Sequence, residues 1–290
     1  MTRSAQRQAS SPTRIVLNFA HRCNMVCEWC YVPFAGPPPT LAICRQIVHR
    51  CREIGMSVIT LGGGDPFQHR FLPDLVRLAK ESGLIVHIDT NGIALRETSE
   101  NYRLIESGVD LLGLPLDGSD EMLHGTMRSS PRHFRLVMEK LKWLDGLRAK
   151  IKLNTIVTAV NASRLGDLAD LVGALQPARW SIYQYWPLSM GAAVWEKHAL
   201  GDATFRAATG PLATFERLSS IHVEVNSQAC RRLTYPFVSH TGELYVHSAV
   251  SPRDYEPLGS IFDDAVVAEL KRRCGPERSN AQSRYIKPAE

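Results

Sequence analysis

The sequence predicts an α/β protein in which six βα units form a partial (β/α)6 barrel, followed by a C-terminal α/β extension. Three observations carry this. Short apolar runs alternate with segments of helical periodicity from Arg14 to about residue 190, the pattern of parallel strands joined by crossover helices. Clusters of Cys, Gly, Asp, Thr and Asn fall just after the apolar runs, where parallel α/β folds collect their ligands. Beyond residue 190 the alternation stops.

The first strand, Ile15–Phe19, runs into Cys23-Asn24-Met25-Val26-Cys27-Glu28-Trp29-Cys30. Leu41, Cys44, Val48 and Cys51 then recur at helical spacing, and the two cysteines on that stripe read as core thiols. Strand two, Val58–Leu61, ends in Gly62-Gly63-Gly64-Asp65-Pro66-Phe67. Missing Cβ atoms there let a ligand approach the backbone and Asp65 can meet an ammonium, although such a run is also a tight turn. After a stripe of Leu72, Leu75, Val76 and Ala79, strand three (Leu84–Asp89) ends in Asp89-Thr90-Asn91-Gly92. This offers carboxylate, hydroxyl and amide groups, and is equally a turn signal.

Strand four, Leu111–Leu116, leads to Asp117-Gly118, where Asp117 is either a rim residue or a helix cap. Phe134, Val137, Leu141 and Leu144 mark the next helix, and strand five is Ile151–Val157. Lys152 and Asn154 share one of its faces. A lysine inside a barrel needs a partner, so Lys152 either meets an anionic substrate group or points outward at a strand edge. Strand six, Trp180–Tyr185, adds polar Ser181 and Gln184, two further candidates for substrate contact. In the extension, Asp202–Ser219 reads as one helix, Ile221–Val225 as a strand, Phe237–His240 and Leu244–His247 as a hairpin around Thr241-Gly242, and Asp263–Arg272 as a last helix. His240 and His247 are expected at the surface. Cys230 and Cys274 read as free thiols.

Three thiolates spaced C-x3-C-x2-C can face one point and are soft ligands suited to iron–sulfur clusters or zinc. Structural zinc wants four protein ligands, usually as two separated pairs, and no second pair follows. A [4Fe–4S] cube held by Cys23, Cys27 and Cys30 leaves one iron without a protein ligand, open to a substrate or cofactor. The plainer alternatives are a free-thiol loop or a Cys27–Cys30 redox pair.

The chain has 290 residues and is 44% hydrophobic, enough for one large core. Its formal charge of +5 comes from scattered lysines and arginines, which permits an anionic substrate and argues against a nucleic-acid track. Residues 1–13 are polar and read as a disordered tail ahead of a barrel at 14–190 and an extension at 191–290 that closes the substrate pocket. No apolar stretch is long enough for a bilayer, and the cysteine trio has to stay reduced, so no membrane contact and a cytoplasmic location are expected.

C-x3-C-x2-C with Trp29 before the third cysteine resembles the radical S-adenosylmethionine (SAM) superfamily. The resemblance extends to Gly63-Gly64-Asp65-Pro66, similar to G-G-E-P with a shorter carboxylate, to Thr90-Asn91-Gly92, and to Leu116-Asp117-Gly118, where Pro115 replaces the serine of S-x-D-G. It implies a TIM-type partial barrel in which SAM chelates the open iron and is cleaved to methionine and a 5′-deoxyadenosyl radical. Trp29, Gly63, Gly64, Asp65, Pro66, Thr90 and Asn91 would belong to the SAM site. Asp117, Arg128 and Asn154 would join them, with Arg128 matching an arginine that pairs with the SAM carboxylate. An electron donor such as flavodoxin or ferredoxin is implied as partner.

Within the superfamily, Lys152-Leu153-Asn154-Thr155 and Gln176-Pro177-Ala178-Arg179-Trp180-Ser181-Ile182-Tyr183-Gln184 look like the viperin branch, as does Val223-Glu224-Val225-Asn226-Ser227-Gln228. This implies hydrogen abstraction from a nucleotide, with Lys152 toward its phosphates and Ser181 where a second lysine would stand. The substrate expected is a nucleotide-like or other small anionic molecule. Peptide-modifying members offer an alternative: Gly242 to Ser248 and Leu258-Gly259-Ser260-Ile261 share their cadence, with Ser248 in a cysteine's place, so one cluster is expected. A non-catalytic iron–sulfur sensor is the reading from a different class.

Overall fold

The computed structural model describes residues 14–231, 235–248, 250–251 and 253–274, so the tail expected at 1–13 lies outside it. Each apolar run pairs with the next because a helix returns the chain to the same end of the sheet. β1 (Arg14–Ala20), β2 (Val58–Gly63), β3 (Ile85–Asp89), β4 (Leu111–Pro115), β5 (Ile151–Val157), β6 (Arg179–Gln184) and β7 (His222–Asn226) lie side by side and parallel. The crossover helices are α1 (Leu41–Glu53), α2 (Leu72–Glu81), α3 (Ser99–Gly108), α4 (Glu121–Arg128), α5 (His133–Trp143) and α6 (Leu165–Leu175).

The six expected strands are all present, and the parallel run is longer than six. α7 (Trp195–His198), α8 (Asp202–Thr209) and α9 (Leu212–Leu218) lead to β7, which extends the sheet beside β6. The single helix expected over 202–219 is two, because Pro211 lacks the N–H that a continuous helix would need. After α10 (Gln228–Arg231), β8 (Phe237–Ser239) pairs in parallel with β1 at the opposite edge. The expected hairpin follows, β8 antiparallel to β9 (Glu243–His247), and an unanticipated β10 (Tyr255–Ser260) pairs with β9 before α11 (Asp264–Arg273). The result is one ten-stranded sheet ordered β10-β9-β8-β1-β2-β3-β4-β5-β6-β7. The C-terminal segment thus adds strands at both edges, and the strand and hairpin expected there pair into the same sheet as the barrel strands.

Strand alternation sorts the side chains. Ile15, Leu17, Phe19, Ile59, Leu61, Val86, Ile88, Leu112, Leu153 and Ile182 point to the helices and join Cys44, Ile47, Val48, Leu75 and Val76 in one core. Cys44 and Cys51 are fully buried there, as the helical stripe predicted. The other face is polar, which is unusual for parallel strands, whose two faces are normally both apolar. It carries Arg14 and Asn18 on β1, Thr60 on β2, His87 and Asp89 on β3, Lys152 and Asn154 on β5, Arg179 and Ser181 on β6, and Glu224 on β7.

Charges buried this way survive only in pairs. Glu224, 3% exposed, takes the Arg179 guanidinium on one oxygen and the Ser181 hydroxyl at 2.8 Å on the other. Glu224→Ala leaves Arg179 without that counter-ion and is expected to cost about 3 kcal/mol. The double replacement Arg179→Met, Glu224→Leu should cost less, and urea unfolding of both variants measures the difference.

Candidate active site

An open cavity of about 1310 Å³, mouth included, lies at the carboxyl ends of the strands and reaches down the polar inner face. Cys23, Cys27 and Cys30 line it, on the loop that leaves β1. Cys23 Sγ accepts from Asn91 Nδ2 at 3.3 Å and from the Met25 N–H at 3.4 Å, and the Cys27 thiol is directed at the Arg128 carbonyl at 3.9 Å. Burial pushes all three thiols up, Cys30 to about 12. Among the described residues no three His, Cys, Asp or Glu side chains converge as they would on a single ion. A cubane cluster takes its thiolates at separate corners, so three separate thiols opening on one cavity fit [4Fe–4S] better than mononuclear zinc.

The loop is held from several sides. Trp29 donates its indole N–H to the Met127 carbonyl at 2.6 Å, and Glu28 accepts from His198 Nε2 at 2.8 Å. The glycines at the end of β2 serve this loop first. A Cβ on Gly64 would sit 1.6 Å from the Arg22 carbonyl oxygen, and one on Gly63, at φ +107°, would sit 2.5 Å from that of Ala20. The close approach expected of a ligand is therefore made by the chain itself, while the same glycines also border the cavity.

Asp65 is fully buried and absent from the cavity wall. Its carboxylate accepts from Thr90 Oγ1 at 2.6 Å, from the Ala94 and Phe67 N–H groups at 3.1 and 3.3 Å, and from Asn24 Nδ2 at 3.5 Å. It ties the loops after β2 and β3 to the cysteine loop, so its oxygens are not presented to an incoming ammonium. Pro66 is buried beside it and opens a short 3-10 turn. Thr90 and Asn91 do line the cavity.

Asp117 is also fully buried. It accepts from Arg128 Nε at 2.5 Å and from the Ile156 N–H at 2.7 Å, so it supports Arg128 from behind the wall. Burial works against the Arg128 charge, and Asp117 together with Cys27 outweighs it and raises the guanidinium pKa. Arg128 faces the cavity with its guanidinium 4.6 Å from the centre of the Trp29 ring.

Lys152 and Ser181 are placed differently from a substrate contact. Both are fully buried and neither reaches the cavity, since Ser181 is spent on Glu224 and Lys152 Nζ lies 2.8 Å from Asp89 Oδ1. That contact is an ion pair by distance, set off the hydrogen-bonding direction. Asn154, on the cavity wall, donates to the same oxygen at 2.9 Å. Gly113 makes room for the trio: a Cβ there would lie 2.0 Å from Asp89 Oδ1 and 2.6 Å from Asn154 Nδ2. Gln184 borders the cavity, but its amide is engaged by the Leu200 carbonyl, Asp202 and the Gln228 N–H.

Asp89 is the residue that the sequence left unassigned. It sits deep in the molecule, yet 38% of its side chain is open because it faces the cavity. Burial would raise its pKa, and Lys152, with help from Arg14 and Asn154, outweighs burial and holds the carboxyl below its usual range. Arg14, Tyr31 and Tyr183 are near enough to feel its charge, and Trp186, Arg231, Tyr235 and Phe237 line the same cavity. Alternating polar residues in Arg14-Ile15-Val16-Leu17-Asn18, His87-Ile88-Asp89 and Arg179-Trp180-Ser181 were the available signal for this polar lining. His240 and His247, expected outside, are buried: His240 Nε2 contacts the Pro37 carbonyl at 2.8 Å and His247 stacks on Trp186 at 4.7 Å.

Residues 17–172, more than half of the chain, match the model of the Radical SAM superfamily. The AdoMet-dependent heme synthase of Oleidesulfovibrio alaskensis is 26% identical over 198 residues, 66% of this chain and 50% of that one. The S-adenosylmethionine-dependent nucleotide dehydratase RSAD2 of Siniperca chuatsi is 25% identical over 190 residues, 61% of this chain and 50% of that one. The chain therefore spans about half the length of these relatives. The structure of Streptococcus suis SuiB bound to its precursor peptide SuiA superposes with a TM-score of 0.70 at 13% identity, over 89% of this chain and 64% of that one, a likeness of fold. No helix among the described residues is long and apolar enough to cross a membrane.

Two buried histidines beside Arg128 give the site a pH signature. His124 and His133 lie edge to edge and nearly coplanar, their ring centres 5.1 Å apart; burial and the Arg128 charge push both down, His124 (lowered also by His133) to about 2 and His133 to about 4. Below pH 6.5 the unfolded chain takes up protons that the folded pair refuses. Stability should therefore fall as pH drops from 6.5 toward 4, by up to about 1.4 kcal/mol per pH unit for each histidine. His133→Gln should flatten that slope in urea unfolding measured across this range.

Proposed function

The chain belongs to the radical SAM superfamily, whose members hold a [4Fe–4S] cluster and SAM, and on that premise we propose that it is a radical SAM enzyme acting on a small, nucleotide-like or otherwise anionic substrate. One observation carries the reading: the three thiols, Gly62 to Gly64, Asn91 and Arg128 border the same cavity that Arg14, Asp89 and Tyr183 line. When bound, the cluster and SAM supply a 5′-deoxyadenosyl radical that takes a hydrogen atom from the substrate.

The chain's own residues then divide the work. Cys23, Cys27 and Cys30 would hold the cluster. Arg128, backed by Asp117, would face the SAM carboxylate as a charge-assisted pair, and the exposed backbone at Gly63 and Gly64 leaves room beside it. Thr90, Asn91 and Asn154 complete that side of the wall. Also on the wall, Arg14 and Arg231 suit an anionic group, and the rings of Tyr31, Tyr183, Trp186 and Phe237 suit a flat one while keeping water from the reacting carbon.

Asp89 Oδ1 is occupied by Asn154 and Lys152, which leaves Oδ2 turned to the cavity as an ionised acceptor for a substrate hydroxyl or amine. With Lys152 and Ser181 both spent inside the wall, an anionic tail would have to meet the arginines. The nucleotide dehydratase among the relatives supports a nucleotide-like molecule within this class. Flavodoxin or ferredoxin would deliver the electron.

Anaerobically reconstituted protein with dithionite is expected to convert SAM to 5′-deoxyadenosine, and Cys27→Ala to lose bound iron and product together. No product from the wild type would overturn the enzymatic reading. Ribonucleoside triphosphates deuterated on the ribose should stimulate cleavage and pass deuterium into 5′-deoxyadenosine. For the stimulating nucleotide, Asp89→Asn should raise KM by about tenfold, the loss of one charged hydrogen bond.

A further inference from the structure

His124 and His133 form a chain of hydrogen bonds whose direction is fixed at both ends by the backbone. The Asp117 N–H, a donor only, points at His124 Nδ1 at 3.1 Å, so that nitrogen is an acceptor. The proton of neutral His124 is then on Nε2, which lies 2.8 Å from His133 Nδ1. His133 in turn carries its proton on Nε2 and donates it to the Asn91 carbonyl, an acceptor only, at 2.8 Å. All four ring nitrogens are used, at 0% and 2% exposure.

The two ends of this chain lie next to two of the three cysteines, Cys23 and Cys27. Asn91 reaches Cys23 Sγ through its side chain, and Asp117 clamps Arg128, whose carbonyl meets the Cys27 thiol. Backbone geometry is arranged to allow this edge-to-edge contact. α4 ends at Ser129 with φ +53°, and a Cβ on Gly125 would sit 3.0 Å from Pro131 Cα, so the turn into α5 folds tightly enough to bring the edge of His133 to that of His124.

We propose that His124 and His133 are positioning residues, a one-way relay of two neutral imidazoles that fixes Asn91 and Arg128 at a set spacing around the cluster loop and so sets the fit of SAM. The proposal rests on the radical SAM reading. A second proton on either ring would face an N–H already aimed at it, so the pair is held neutral and its direction is locked. An apolar pair of similar size would fill the space without transmitting the spacing.

The test compares His133→Leu, which breaks the relay, with His133→Gln, whose amide offers one acceptor and one donor. His133→Leu is expected to keep its iron and raise the KM for SAM roughly tenfold, as loss of an outer-shell partner does. It should also weaken the change that SAM makes in the EPR spectrum of the reduced cluster. His133→Gln should restore both. Wild-type values in His133→Leu, or equal losses in both variants that follow their melting temperatures, would overturn the relay in favour of packing alone. Should His133→Leu fail to fold, 15N-histidine NMR of the oxidised wild-type holoenzyme decides. Two Nε2–H tautomers that do not titrate between pH 5.5 and 8 support the relay, and an Nδ1–H tautomer or a titration near pH 6.5 overturns it. Failure of the enzymatic reading is separate, because it shows as no 5′-deoxyadenosine from the wild type.

Discussion

Gly64 stands where a methyl group would lie 1.6 Å from the Arg22 carbonyl, and Gly63 where it would lie 2.5 Å from that of Ala20. The Gly64 N–H uses this proximity to donate to the Ala20 carbonyl at 2.6 Å. Two strands of a parallel sheet are normally 4.7 to 4.9 Å apart. Here the chain leaving β1 leans onto the end of β2, and only residues without a Cβ permit it. That lean starts the cysteine loop in the direction of the cavity. Asp65, the next residue, then gathers Asn24, Thr90 and Ala94 around one buried carboxylate. The cysteines, the wall after β3 and the glycine run are thus one connected unit.

A second constraint runs down the barrel's inner face. A parallel sheet covered by helices on one side could have filled its other side with leucine and valine. This one carries ionised groups on five of its strands, and each ion pair joins different strands: Lys152 to Asp89, Arg179 to Glu224. Burying such groups costs several kcal/mol per ion unless they are matched, so they are weak contributors to stability. The Lys152–Asp89 pair makes better sense as a fixed charge of the binding cavity, since Asp89 lines it and is held in place before any ligand arrives. Gly113 shows how finely this is set, since the Asp89, Lys152 and Asn154 atoms fill the space a Cβ would take.

The alternation of apolar runs and helical stripes made six strands and their helices legible, because backbone pairing and helix amphipathicity are local in sequence. β10 was missed because Tyr255-Glu256-Pro257-Leu258-Gly259-Ser260 has neither alternation nor an apolar run; it is a strand only because β9 offers it an edge. The cysteine loop was legible because its three cysteines fall within eight consecutive residues and their spacing is itself chemical information. Asp65, Asp117, Lys152 and Ser181 were recognisable as polar residues in the right places, and their directions were not. Each could face the cavity or a neighbouring strand, and the choice depended on partners 25 to 43 residues away for Asp65 and Ser181.

By itself the sequence determined the class of fold and the presence of a three-cysteine loop after the first strand, since periodicity and short spacing survive without knowledge of the third dimension. Tertiary structure alone decided which polar side chains are exposed to a ligand and which are consumed by the protein. Lys152 illustrates the reason. An ammonium buried in a barrel must find a carboxylate, and Asp89, 63 positions earlier on a strand two places away, was close enough to take that role at 2.8 Å. The group presented to the cavity is therefore the carboxylate, with the lysine behind it.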